Sequence, residues 1–351
     1  MNFDRNSLLG FGLLAILFFG YFYYTNQEQA AYNKAKARQQ FVQDSIAKAN
    51  RPAVDTAALQ KDLVKADSVR RTSAAGFFVD AAQGVEQLVT LENEKIKVVF
   101  TNKGAQVKYV ELKEHRQHGD TSRIQLAAEN FNQFTYSLST GTNRTAPSGE
   151  LFFVPQTPVV NADGSQTLSF TLRSLDSNFT GAVTHQYTLL PNDYQIGLRI
   201  QLAGAEQLVA DHKLSLVWQY EALKQESDVN YEKQNTQVGF IEDGKFDYFT
   251  IRNRSTVDFA KPVNWVGVRQ RFFFGALTAK NGFSTGQLNW TLPPDSSGSV
   301  VRATAIMKLP VPVGDQASID LGLYYGPSDY HILKKYDNGF EKIVNLGQGV
   351  Y

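Results

Sequence analysis

The chain has 351 residues, with 35 Lys plus Arg against 34 Asp plus Glu and a net charge of +1. A balance so close to neutral gives no bulk attraction for nucleic acid, and no nucleic-acid partner is expected. The chain contains no cysteine, which excludes disulfide staples and thiolate metal centres but fits an exported bacterial protein and a cytosolic one equally well.

The first element is the apolar run Leu8 to Tyr24, seventeen residues without a charge. As a helix it spans roughly 26 Å, just enough to cross most of a ~30 Å hydrocarbon core. Tyr21, Tyr23 and Tyr24 at its end suit a headgroup boundary. The run reads as an uncleaved anchor, so a lipid bilayer is an expected partner. A secretory signal needs a positive start and a nearby small-residue cleavage site, whereas Arg5 is offset by Asp4 and Ala35-Lys36-Ala37 lies far downstream. A lipoprotein anchor is excluded because there is no cysteine to acylate. Lys34, Lys36 and Arg38 would by themselves keep the following side in the cytoplasm, although large domains translocate largely regardless of charge.

From residue 25 to residue 86 the composition turns to Ala, Gln, Lys, Asp and Ser, too polar to bury a core. This stretch reads as a spacer, helical from Asn26 towards Asn50, where Arg51-Pro52 stops it, and mobile thereafter.

At Leu88 a period-two alternation begins. Ile96, Val98 and Phe100 share one face, Thr101-Asn102-Lys103-Gly104 turns the chain, and Val107 to Leu112 returns. Similar hairpins are expected around Asn161-Ala162-Asp163-Gly164 and Pro191-Asn192-Asp193. Further strands are expected at Leu214 to Tyr220, Val238 to Ile241, Phe246 to Ile251, Val266 to Leu277, Gly286 to Leu292 and Val300 to Lys308. The fold class is therefore mainly β, a large antiparallel sandwich. It finishes differently: strand-like Ile319 to Tyr325 meets Gly326-Pro327, Ser328 is placed to cap a helix reaching Tyr336, and Phe340 to Leu346 forms a second short amphipathic segment.

No constellation makes a convincing enzyme, metal site or cofactor site. His115 and His118 are three apart beside Glu114 and Asp120, but no further ligand cluster completes a metal site, and a solvated loop is the plainer reading. His185 alternates with Tyr187 in a strand and reads as a half-buried, hydrogen-bonded residue. His212 and His331 stand alone. Glu242, Asp243 and Asp247 could run sugar acid–base chemistry, yet Glu242-Asp243-Gly244 has the composition of a hairpin turn. No GxSxG, HExxH or phosphate-binding glycine loop occurs. Trp265 to Phe274 reads as a core strand with flanking solvated arginines, in preference to a sticky recognition surface.

Several segments together resemble the YidC membrane-protein insertases of Gram-negative bacteria. They are the opening MNFDRNSLLGFGLLAILFFGYFYY, Leu91-Glu92-Asn93-Glu94 through Thr101-Asn102-Lys103-Gly104 to Val110-Glu111-Leu112-Lys113, the Trp265 to Phe274 stretch, and Tyr324-Tyr325-Gly326-Pro327-Ser328-Asp329-Tyr330 with Leu333-Lys334. The resemblance implies an inner-membrane protein with a cytoplasmic N-terminus at 1–7, a transmembrane helix at 8–24 and a spacer at 25–86. It further implies a periplasmic, mutarotase-like β-super-sandwich at 87–326 and a helical junction at 327–351 leading to a membrane core. That core, five further helices around a hydrophilic groove, would begin after Gly347-Gln348-Gly349, and no second apolar run of membrane length follows. The chain is thus expected to be a fragment or truncated form that anchors, positions and docks without itself inserting anything. The implied partners are the Sec translocon with its accessory subunits and, through the core, nascent inner-membrane proteins. Tyr325, Gly326, Pro327, Tyr330 and Leu333 are expected to make a rigid junction, with Trp265 and Phe273 supporting the core beneath it. Two rivals stand beside this reading: a membrane-tethered carbohydrate-binding or mutarotase-like protein using His185 and Glu242, and a free-standing periplasmic adaptor ending at Tyr351.

Overall fold

A computed structural model describes residues 68–117, 121–176 and 179–345. The expected membrane run at 8–24, the early spacer, His118, Asp120 and the residues after 345 lie outside the described residues. Among those described, no helix is long and apolar enough to cross a membrane.

The alternation beginning at Leu88 builds a four-stranded antiparallel sheet from β1 (Leu88–Glu92), β2 (Ile96–Thr101), β3 (Gln106–Arg116) and β4 (Arg123–Leu126). Next come β5 (Gln133–Gly141), β6 (Arg144–Pro147), the two-residue β7 (Val154–Pro155) and β8 (Val159–Val160), and β9 (Gln166–Arg173). The middle of the chain supplies β10 (Ala182–Leu189), β11 (Gln195–Ala203), β12 (Lys213–Leu223), β13 (Gln237–Glu242), β14 (Lys245–Thr250) and β15 (Thr256–Phe259). The last third gives β16 (Val263–Arg269), β17 (Phe273–Phe283), β18 (Thr285–Thr291), β19 (Ser299–Pro310) and β20 (Gln316–Pro327).

These strands pair into a ten-stranded sheet, β14-β13-β16-β17-β20-β11-β10-β9-β7 with β8 also on β9, and a six-stranded sheet, β15-β18-β19-β12-β5-β6. All of the pairings are antiparallel. The expected sandwich is therefore observed. Its period-two logic is plain in β10, where Val183, His185, Tyr187 and Leu189 are buried and the residues between them are half-exposed.

Aromatic rings lock the layers together. Tyr220 of the six-stranded sheet stacks on Trp218 at 5.6 Å and on Tyr325 of the ten-stranded sheet at 6.0 Å. Gly275 leaves room for this, since a Cβ there would lie 2.7 Å from the Tyr220 ring. Each fully buried Phe, such as Phe170 or Phe274, contributes about 1.5–3 kcal/mol of hydrophobic stabilisation.

Three expectations are corrected. Val266 to Leu277 is not one strand but two, β16 and β17, joined by a two-residue turn in which Gln270 N–H donates to the Phe273 carbonyl at 2.8 Å. The turn lacks Gly or Asn. Its anchor is the buried Gln270 side chain, which donates to Leu223 O at 2.6 Å and Glu232 Oε1 at 2.8 Å. Secondly, Ser328 does not cap the C-terminal helix. Asp329 does, accepting from His331 N at 2.8 Å and Ile332 N at 3.0 Å, while Ser328 Oγ receives Arg269 Nε at 3.0 Å. That helix covers Tyr330–Lys334 and stops short of Tyr336, and the segment after it is a 3-10 turn at Phe340–Ile343.

Thirdly, the end of the spacer is packed rather than mobile. A helix at 68–75 runs into a 3-10 segment, Gly76–Ala81, that buries Ala75, Phe78 and, just after it, Ala82. Phe77 packs on Phe179 at 4.5 Å, and Thr140 Oγ1 donates to Ala74 O at 2.6 Å. Gly76 adopts φ +49, and a Cβ there would collide with Thr140 O at 1.8 Å.

Candidate functional site

Where the polypeptide leaves the sandwich, β20 ends in Tyr324-Tyr325-Gly326-Pro327, and strand geometry sends the two tyrosines to opposite faces. Tyr325 enters the inter-sheet core, its phenol oxygen accepting from Trp218 Nε1 at 3.4 Å. Tyr324 faces the other way and donates to Pro327 O at 2.8 Å. Gly326 is required between them, because a Cβ there would stand 2.8 Å from both Tyr194 Cγ and Tyr324 Oη. Pro327, paired with Phe273, ends the ladder without needing an N–H of its own.

The segment beyond Pro327 folds back over the outer face of the ten-stranded sheet. Leu333 and Phe340 are fully buried. The Phe340 ring lies 5.2 Å from Trp265, 5.3 Å from Phe274, 5.7 Å from Tyr324 and 5.9 Å from Tyr336. Three hydrogen bonds fix its position: Trp265 Nε1 to Asn338 O at 3.0 Å, Tyr336 Oη to Asp193 Oδ1 at 2.6 Å, and Phe340 N to Asn338 Oδ1 at 3.1 Å. Ile343 then settles over Gly239, where a Cβ would meet its Cδ1 at 2.2 Å. Burial, followed by the Asp193 charge, drives the Tyr336 phenol well above its ordinary pKa, so it stays a donor.

Of the residues singled out from sequence, Trp265, Gly326, Pro327 and Leu333 take part in this clamp. Tyr325 belongs to the sandwich core. Tyr330 sits at the edge, with Lys334 Nζ 5.6 Å from its ring centre. Phe273 occupies the opposite face from Phe274, with its ring 5.6 Å from His115. Sequence reasoning missed Tyr324, Phe274, Tyr336, Asn338 and Asp193. The only available signal was the alternation of aromatics across strand ends, which does not say which face a later segment will cover.

The acid–base residues do not converge. His185 is fully buried, with Nδ1 at 2.9 Å from Ala105 O and Nε2 at 2.6 Å from Tyr136 Oη. A carbonyl only accepts, so Nδ1 carries the proton and Nε2 receives the tyrosine hydroxyl. Burial pushes this imidazole down to about 4. Glu242 lies five strands away in the same sheet, roughly 24 Å at ~4.8 Å per strand. Its Oε1 is occupied by the N–H groups of Ala260 and Lys261 at 3.1 Å each. Glu114 is held by Lys95 at 2.8 Å. Among the described residues, no group of three or more His, Asp or Glu side chains is placed to hold a metal ion.

The family model described as YidC periplasmic domain matches residues 88–349. The chain belongs to the YidC periplasmic-domain family. It is 27% identical to a Parabacteroides distasonis protein named membrane protein insertase YidC, over 99% of this chain and 57% of that protein. It is 26% identical to one of the same name from Phocaeicola vulgatus, over 94% of this chain and 51% of that protein. The chain thus spans about half the length of the curated YidC relatives it matches. Among solved structures it is similar to a galactose mutarotase-like protein from Lactobacillus casei, at 10% identity over 68% of this chain and all of that one, with a TM-score of 0.45.

Proposed function

We propose that this chain is the anchoring and periplasmic part of an inner-membrane protein insertase. In this reading Leu8 to Tyr24 holds the N-terminus in the cytoplasm, the sandwich lies in the periplasm, and the segment after Pro327 returns the polypeptide to a membrane core. Nascent inner-membrane proteins are clients of that core, where a water-accessible groove lowers the cost of moving polar segments into lipid. The present residues fix the domain above the groove and offer docking surface to the Sec translocon and its accessory subunits. The relatives are named for insertion, and no catalytic role is assigned here.

The observation that supports this reading is the aromatic clamp around Phe340, whose ring contacts hold the segment after Pro327 against the ten-stranded sheet; in this reading the exit of the sandwich acts as a rigid lever. A flexible exit would leave the domain free to swing and unable to hold a partner over a groove. The test is made in the whole insertase, with Phe340→Ala and Trp265→Ala introduced together. Insertion of a client that needs the translocon should slow, and crosslinks between the sandwich and the translocon should fall, while the sandwich keeps its β circular dichroism. Unchanged insertion and crosslinking with a demonstrably loosened clamp would remove the proposal.

A further inference from the structure

A cleft of about 400 Å³ opens on the outer face of the ten-stranded sheet, beside the clamp. Small-molecule sites run from roughly 300 to 1,000 Å³, so it is large enough for one. Strand register sets Thr188, Gly197, Gly322 and Thr278 abreast on β10, β11, β20 and β17, where they form the floor. One step along the strands, Arg199 pairs with Asp320 at 2.7 Å, and Lys280 reaches the same carboxylate at 3.7 Å. On the other side lies Gln195, and Tyr336 and Asn338 of the segment after Pro327 supply the remaining wall.

Two features set this cleft apart from an ordinary solvated sheet face. The first is that the fold does not demand a glycine at 197. Its φ is not positive, β11 has no bulge there, and a Cβ would stand 3.6 Å from the nearest atom, the Thr188 carbonyl oxygen, an ordinary contact. Mid-strand glycine weakens a sheet, and where no turn, bulge or packing needs it, the remaining use is close approach by another molecule. The second feature is a set of polar groups left open. Gln186, Gln195 and Asn338 are half-buried, and neither glutamine amide nor Asn338 Nδ2 has a hydrogen-bond partner among the described residues. A Cβ at Gly322 would strike the Gln195 amide and the Thr278 methyl, so that amide lies across the floor. Arg199 bonds Asp320 through Nε, which leaves the two ends of its guanidinium fork for a ligand.

We propose that this cleft binds a neutral saccharide. Its charges do not select an ion. An anionic ligand meets Asp320, an ammonium group meets Arg199 and Lys280, and the exposed Asp337 beside Asn338 brings a second carboxylate to the rim. Two cations against two carboxylates leave donors and acceptors interleaved without net charge. Neighbouring hydroxyls of a sugar each donate one hydrogen and accept at two lone pairs, and amides, a guanidinium fork and a carboxylate satisfy them in pairs. Extended peptides are instead taken up at a sheet edge, where the ladder continues, whereas this cleft lies on a face. His185 and Glu242 do not line it, so the site binds saccharide without turning it over. The inference needs only the folded domain and is independent of the insertase reading.

The full chain is held in phospholipid nanodiscs, free of sugar-based detergent, and exposed to an array of neutral oligosaccharides. Those retained are titrated calorimetrically, with uncharged peptides titrated in parallel. Saturable binding of a saccharide is expected. Gly197→Val places a strand-forming side chain on the floor, and should keep the urea midpoint while weakening binding at least about tenfold. Gln195→Ala and Arg199→Ala should each weaken it about five- to tenfold. The Gln195 side chain holds nothing in the fold, so its variant carries the test if Gly197→Val lowers the midpoint. An array without a bound saccharide overturns the inference, as does binding that both Gly197→Val and Gln195→Ala leave unchanged. Peptide binding with the same sensitivity to Gly197→Val, in place of saccharide, makes the cleft a polypeptide site and also overturns it. None of these outcomes touches crosslinking to the translocon, which tests the proposed function separately.

Discussion

At the scale of single residues the most informative side chain is His185, read from sequence as half-buried and found completely enclosed by Tyr136, Phe134, Phe153 and Tyr187. Its pKa falls to about 4 in the fold, below the ~6.5 of an unfolded histidine. The unfolded chain therefore binds the extra proton first. The stabilisation is fully present above about pH 6.5 and is lost as pH falls from there through about 4. At 1.36 kcal/mol per pKa unit the loss is about 3 kcal/mol. Urea midpoints measured across this window should fall more steeply for the native chain than for His185→Gln, whose amide can keep one donor and one acceptor without titrating. Parallel slopes would mean that His185 does not govern the acid limb.

At the scale of elements the C-terminal helix depends on its cap. Five residues are too few to hold a helix by propensity, so Asp329 and the burial of Leu333 must do it. Asp329→Ala should cost about 1 kcal/mol and speed amide hydrogen exchange at residues 331 and 332, with the core strands unchanged. Sequence reading found this helix but chose Ser328, because both residues are good caps and only the tertiary demand of Arg269 for Ser328 Oγ separates them. The same limit explains β16 and β17. A turn made of Arg271 and Phe272 carries no local turn chemistry, and what bends the chain is a buried amide reaching Glu232, thirty-eight residues away in sequence. Hairpins with Asn, Asp or Gly at their tips were legible for the opposite reason. The clamp was half legible. Trp265 and Leu333 were singled out through the family resemblance, but Phe274 and Tyr324 became its floor only when the segment after Asp337 folded across the sheet.

At the scale of the whole sandwich, the stretch that composition marks as a spacer completes the fold. Polar segments are read as unable to bury a core because the argument averages over their length, and residues 68–82 hide a few apolar side chains at the end of a long polar tract. Phe78 and Ala82 are 1% and 2% exposed, and Ala75 is fully buried. Phe77 and Phe78 both face Phe179, at 4.5 Å and 6.3 Å. Removing them strips these contacts from Phe179 and from the β5 and β9 residues that the 76–81 segment touches. The cost for one buried Phe alone is about 3–5 kcal/mol, a large fraction of the 5–15 kcal/mol that holds an ordinary domain together. A chain beginning at residue 68 should therefore unfold in one cooperative transition, with the circular dichroism of a β protein. A chain beginning at residue 84 keeps every strand of the three sheets and should still lose at least about 3 kcal/mol, seen as a lower urea midpoint. Equal midpoints for the two chains would return residues 68–82 to the role of a tether. A fall confined to the longer deletion would make them the first structural element of the sandwich.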